Sequence, residues 1–223
     1  MGLLGKNGIG KSSAFKILAN QVKPNLGKWN KEIEFKEVLQ YFKGTEMQKF
    51  LERLHKNEVT LSYKPQQVDL IPKQFKGNVR ELLQRIDQDG RLPHVAQELQ
   101  LAHFLDTDIS SISGGELQRV AIAAASLKKA NLYLYDEPTS YLDIKQRLNA
   151  SHFIQSLSSD DTAVLVIEHD LIILDYLTEF LNLMYGHEGV YGIVSGIKST
   201  REGINAFLEG YLREENIRFR DHA

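Results

Sequence analysis

The sequence contains no cysteine at all. Disulfides and thiolate metal sites are therefore excluded within it. Proline is sparse, with 5 in 223 residues, and tryptophan occurs once. No apolar run reaches the roughly 18–20 residues needed to cross a bilayer as a helix. The N-terminus also lacks the charged-then-apolar order of a secretory signal, so a cytoplasmic location without a membrane partner is the default. Nor is there an excess of one charge: 27 Lys and Arg stand against 29 Asp and Glu. The overall balance calls for neither nucleic acid nor an anionic membrane. The charge is uneven, however. Residues 1–60 carry 11 basic against 6 acidic side chains, and the remainder 16 against 23. A basic N-terminal part suits an acidic partner, although a solvated surface is the commoner cause of such a bias.

What is present is enough chain for one large α/β domain with its own core. The apolar spacing predicts helices over Lys11–Asn20, Val79–Ile86, Pro93–Leu105, from Ser113 onward, Ile144–Leu157 and Leu171–Phe180. Strands are predicted at Val59–Tyr63, Leu132–Tyr135, Ala163–Ile167, Leu181–Tyr185 and Val190–Val194. Such alternation argues for a mainly parallel sheet flanked by helices. Between a mixed stretch at Lys23–Lys36 and the first of the middle strands lies a helical insertion, placed at residues 41–57. Thr45 precedes Gln48 by three, a capping-box spacing, and Met47, Phe50, Leu51 and Leu54 share one helical face. Lys49, Glu52, Arg53 and Lys56 occupy the other. Residues 78–130 read as a helical subdomain within a single domain spanning 1–223.

Gly5-Lys6-Asn7-Gly8-Ile9-Gly10-Lys11-Ser12 satisfies the phosphate-loop pattern in full. Its glycines let backbone N–H groups turn inward around phosphates, and the following helix points its positive end at them. Asn7, Gly8, Gly10, Lys11, Ser12 and Ser13 are the candidate nucleotide contacts, with Lys11 on the β- and γ-phosphates and the Ser12 hydroxyl on Mg²⁺. The apolar strand Leu132–Tyr135 ends in Asp136 and Glu137. Asp136 is placed to hold Mg²⁺ through water, and Glu137 to polarise an attacking water. Ser113-Gly114-Gly115-Glu116 is a capping box whose exposed N–H groups form an anion site; from local spacing alone it is simply a well-capped helix. Likewise, a lone histidine such as His169 at a strand end is more often structural than catalytic.

The order of these parts changes both readings. A phosphate loop, Gln66, Ser113-Gly114-Gly115-Glu116-Leu117-Gln118-Arg119, Asp136-Glu137, Ser140-Tyr141-Leu142-Asp143 and His169 follow one another along the chain. The sequence thereby resembles the ABC ATPase family over nearly its whole length. The resemblance implies a P-loop NTPase fold of ABC type with ATP and Mg²⁺ as cofactors. It implies that Gln66 senses Mg²⁺ and the γ-phosphate, and that Ser12, Gln66 and Asp136 hold the metal. It further implies that Ser113, Gly114 and Gly115 bind ATP held by an opposite domain, that Asp143 couples the two sites, and that Glu137 and His169 are catalytic. Each complete site would be split between two nucleotide-binding domains, and one domain alone should hydrolyse ATP slowly.

Lys23-Pro24-Asn25-Leu26-Gly27, Tyr41-Phe42-Lys43-Gly44, Lys64-Pro65-Gln66, Lys145-Gln146-Arg147-Leu148 and Arg201-Glu202-Gly203-Ile204-Asn205 narrow the likeness. They resemble the ribosome-recycling branch of the family, the RNase L inhibitors, and the first of its two nucleotide-binding domains. That implies a factor that splits ribosomal subunits after termination. The implied partners are the second nucleotide-binding domain, the small ribosomal subunit through the 41–57 insertion, and a release factor. Ser13 stands where the branch usually has threonine, Gln67 where an aromatic is usual, and Ile112 where leucine is usual. The iron–sulfur cluster of the branch belongs to a cysteine-rich N-terminal domain that these residues do not include. Met1-Gly2-Leu3-Leu4 also reads as the tail of a strand usually about 5–6 residues long, so the chain is expected to be part of a longer one. The competing readings are the nucleotide-binding subunit of an ABC transporter and a non-catalytic module switched by ATP. A membrane partner would mark the first, and absence of turnover the second.

Overall fold

A computed structural model of the chain describes residues 1–28 and 30–220. In chain order the elements are β1 (Gly2–Gly5), α1 (Lys11–Leu18), α2 (Phe35–Tyr41), α3 (Glu46–His55), β2 (Leu61–Lys64), α4 (Ile71–Gln74), α5 (Val79–Ile86) and α6 (Leu92–Glu98). They continue as α7 (Gly114–Leu127), β3 (Leu132–Asp136), α8 (Ile144–Ser156), β4 (Ala163–Ile167), α9 (Leu171–Leu177), β5 (Phe180–His187), β6 (Tyr191–Val194) and β7 (Lys198–Ser199). Helix α10 (Thr200–Glu209) and the small hairpin β8 (Tyr211–Leu212) and β9 (Ile217–Arg218) end the described chain.

The main sheet runs β2-β3-β4-β1-β5-β6, with β7 also on β5. The first five strands are parallel, whereas β6 and β7 run antiparallel to β5. The α/β expectation of a mainly parallel, helix-flanked sheet therefore holds. Strand β3 explains why both faces must be covered. All five of its residues are buried; Tyr133 and Tyr135 face a core shared with α5, α7 and α8, while Leu132 and Leu134 pack on the other face with Phe15 of α1. Alternation of side chains across the pleat distributes apolar bulk to both layers.

The region 78–130 does not carry a core of its own. Val79, Leu83, Val95, Leu101 and Phe104 join Val120, Ile122, Tyr135 and Phe153 in one continuous cluster. Helix α7 runs through it, buried on nearly every side over its 14 residues, and its alanines suit such crowding because they lose no side-chain freedom.

Several element ends differ from the sequence expectation. The helix predicted over Pro93–Leu105 stops at Glu98, because Gln100 takes a left-handed φ of 53° and Leu101 N–H bonds back to the Ala96 carbonyl. The helix predicted to Phe180 stops at Leu177, where the Thr178 hydroxyl donates to Leu174 O and Phe180 opens β5. The helical insertion has its first helix over Phe35–Tyr41, starting at the end of the stretch read as mixed and running up to the predicted bound at 41: Phe35, Val38, Leu39 and Phe42 form an apolar stripe that packs with Leu51. Thr45 caps α3 as expected, but Gln48 accepts from the Gly44 N–H rather than closing the box on Thr45.

Candidate functional site

The parallel strands all deliver their carboxyl ends to one edge of the sheet, where ligands of open α/β sheets bind. From β1 comes the loop Gly5–Ser12, from β2 the segment reaching Gln66, from β3 Asp136 and Glu137, and from β4 Glu168 and His169. Asn7, Gly8, Gly10, Lys11, Ser12, Ser13, Gln66, Glu137 and His169 line a single cleft of about 590 Å³. Nine of the residues singled out in the sequence thus meet in one place.

The phosphate loop is held from both sides. Gly10 sits at φ 99° as the residue before α1, a conformation open to glycine at little cost. On the far side, the Gly189 N–H donates to Gly8 O at 2.9 Å, and Gly192 of β6 lies so close that a Cβ there would run into the Ile9 carbonyl. Lys11 is buried and donates to Gly5 O at 2.8 Å and Lys6 O at 2.6 Å. Burial lowers the pKa of its ammonium, while Glu137 and Asp136 pull it back up.

Asp136 is 1% exposed. Desolvation raises its carboxyl, opposed by the nearby Ser12 hydroxyl. One oxygen accepts from the Tyr63 phenol at 3.3 Å, whereas Oδ1 is buried with no hydrogen-bond partner among the described residues. An orphaned buried carboxylate oxygen beside a serine hydroxyl matches the hard oxygen donors that Mg²⁺ prefers. Next along the chain, Glu137 Oε1 lies 2.9 Å from His169 Nε2, with Ser140 Oγ donating to Oε2 at 3.3 Å. Glu137 itself adopts φ 47°, a left-handed conformation that costs a residue with a Cβ about 1–2 kcal/mol.

Ser113, Gly114 and Asp143 stand apart from the cleft and are exposed. Ser113 and Glu116 close the capping box on α7. Asp143 caps α8 by accepting from Gln146 N at 2.8 Å. Gly115 abuts Tyr141, which places the Ser113 segment beside the one leading to Asp143.

The residues 1–140 match the family model described as ABC transporter. The chain belongs to that family. Over 220 residues it is 50% identical to an uncharacterised ABC transporter ATP-binding protein of Methanocaldococcus jannaschii, covering 99% of this chain and 36% of that one. It is 46% identical to the translation initiation factor RLI1 of Saccharomyces cerevisiae, over 100% of this chain and 38% of the relative. Among solved structures, a complex of an archaeal ribosomal stalk protein with an archaeal ribosome recycling factor superposes with a TM-score of 0.94 at 52% identity, covering 99% of this chain and 42% of that one. The chain therefore spans little more than a third of the curated relatives named here.

Three further buried side chains of this ABC domain, none of them given a role by the sequence, meet behind the cleft. Lys64, the last residue of β2, is 1% exposed and donates to Asp136 O at 3.0 Å and Glu137 O at 3.2 Å. Burial lowers its pKa to about 8, against the pull of Asp136, Glu168 and Glu137. Gln118 of α7 donates to Glu137 O at 2.8 Å and Pro138 O at 2.9 Å. Glu168 accepts from the N–H and hydroxyl of Thr139 and from His169 N, tying the segment after β3 to the one after β4. The hint in the sequence was a lysine at the end of a strand and a glutamate next to the histidine.

Proposed function

We propose that this chain binds ATP with Mg²⁺, hydrolyses it at the γ-phosphate, and does so paired with a second nucleotide-binding domain in a factor that separates ribosomal subunits. The single observation that carries the hydrolytic part is the contact between Glu137 and His169 at the rim of the phosphate-loop cleft. Phosphoryl transfer needs chiefly positioning and charge stabilisation. Lys11 and the loop amides would bind the phosphates, releasing the Lys11 ammonium from the carbonyls of Gly5 and Lys6. Ser12, Gln66 and Asp136 would hold Mg²⁺, which when bound would neutralise phosphate charge. Glu137 orients and polarises the water, and His169 stabilises the γ-phosphate. The exposed Ser113-Gly114-Gly115 segment serves the ATP of the opposite domain, and Asp143 stands next to it at the start of α8.

Support for the ribosomal part comes from the likeness to the recycling factor and from the α2–α3 insertion. Its second helix and the residue that ends it present Lys49, Arg53 and Lys56 to solvent, as a surface meeting the phosphates of a small ribosomal subunit would; a release factor is a further partner. The test is co-sedimentation with small subunits in the presence of a non-hydrolysable ATP analogue, at two salt concentrations. Retention that falls when Lys49 and Arg53 are changed to glutamate is the expected result. Retention indifferent to those charges and to nucleotide would overturn the ribosomal reading while leaving ATP hydrolysis standing.

A further inference from the structure

Glu137 keeps its left-handed backbone in a tightly determined setting. Its N–H donates to Ile167 O at 2.9 Å, and its carbonyl accepts from two side chains at once, Lys64 Nζ at 3.2 Å and Gln118 Nε2 at 2.8 Å. The same two groups also take the carbonyls on either side: Lys64 that of Asp136, Gln118 that of Pro138. Three successive peptide oxygens are thus fixed by two side chains that arrive from different parts of the fold. Non-glycine residues persist in such a conformation only where their surroundings over-determine it.

We infer that Lys64 and Gln118 are positioning residues that clamp the Asp136–Pro138 backbone and so aim the Glu137 carboxylate into the cleft. Each also links Glu137 to a nucleotide-facing segment. Lys64 lies two residues before Gln66, and Gln118 lies five after Ser113 on the helix that Ser113 caps. A shift of either segment on ATP engagement would reach the water-polarising carboxylate through these hydrogen bonds, without either side chain touching nucleotide. The inference rests on the hydrolytic reading above and assigns it two residues that do not bind substrate.

The experiment compares the unaltered protein with Lys64→Met and Gln118→Met, which keep side-chain length and burial but remove the donors. Steady-state ATP turnover gives kcat and KM, and a fluorescent ATP analogue gives Kd. Each variant should lose at least tenfold in kcat with Kd unchanged within twofold. In a Glu137→Gln background, adding Lys64→Met should cost nothing more, since groups acting through one residue are not additive. A kcat within threefold of the unaltered protein in both variants, or a Kd that rises in step with the loss of kcat, would overturn the clamp. Should Lys64→Met fail to fold, Gln118→Met carries the test alone. Absence of turnover in the unaltered protein paired with its second nucleotide-binding domain would instead sink the hydrolytic reading beneath it.

Discussion

Changing Glu137 to glutamine tests the proposed chemistry with little collateral change. The amide is the same size as the carboxylate and can still bond to His169 and accept from Ser140, the contacts Glu137 makes now at 2.9 and 3.3 Å. The fold should therefore keep its stability, with Tm unchanged to within about 2 °C, as for other substitutions that leave burial and hydrogen bonding intact. What disappears is one negative charge and the ability to accept a proton. A positioned general base contributes about 10²–10⁴-fold, so kcat should fall at least about 100-fold, or about 2.7 kcal/mol of barrier at 1.36 kcal/mol per decade. Binding should move the other way. The charge of Glu137 helps to raise the Asp136 carboxyl; removing it favours the ionised Asp136 needed for Mg²⁺ and lessens repulsion of a triphosphate. Affinity for ATP with Mg²⁺ should thus be kept or tightened. The assay is phosphate release alongside titration with a fluorescent ATP analogue. Turnover within threefold of the unaltered protein, with binding intact, would refute the role given to Glu137.

Other expectations follow from the same contacts. Ser113→Ala removes the cap of α7 and should cost about 1 kcal/mol, seen as a Tm lowered by about 2–4 °C for a domain of this size. Phe153→Ala empties a position 2% exposed in the largest core cluster; a loss of about 3–5 kcal/mol should appear as a lower denaturant midpoint with an unchanged slope. Lys64 gives a pH signature. Its folded pKa of about 8 lies below the ordinary lysine value of 10.5, so between these limits the unfolded chain holds more protons and folding becomes more favourable as pH rises. Thermal unfolding should show the unaltered protein gaining on Lys64→Met from pH 8 to 10, and a difference flat across that window would contradict the assignment.

The cleft was largely legible because its residues lie in contiguous runs whose chemistry is local. A phosphate loop, a strand ending in two carboxylates and a histidine after a strand each declare themselves within a few residues. The clamp on Glu137 was hidden for the opposite reason. Lys64 meets Glu137 across 73 positions and Gln118 across 19, and nothing in the short run around either announces the partner. Helix α2 is written in the sequence as well, since Phe35, Val38, Leu39 and Phe42 have helical spacing. The early ends of α6 and α9 are not, because they depend on a left-handed Gln100 and on Phe180 pairing in the sheet.

The close seat of Ile9 against Gly192 bears on how competence is inherited. The loop that cradles phosphate takes its shape partly from a strand about 180 residues downstream. A relative could keep every residue from Gly5 to Ser12 and yet, with alanine at position 192, present a loop pushed out of register with the nucleotide. Such a chain would pass any scan for the phosphate-loop pattern and still fail to bind. For this architecture the sequence that defines the nucleotide site includes a glycine far outside the phosphate-loop run, and lineages that have lost ATP binding can be looked for there as well as in the motif.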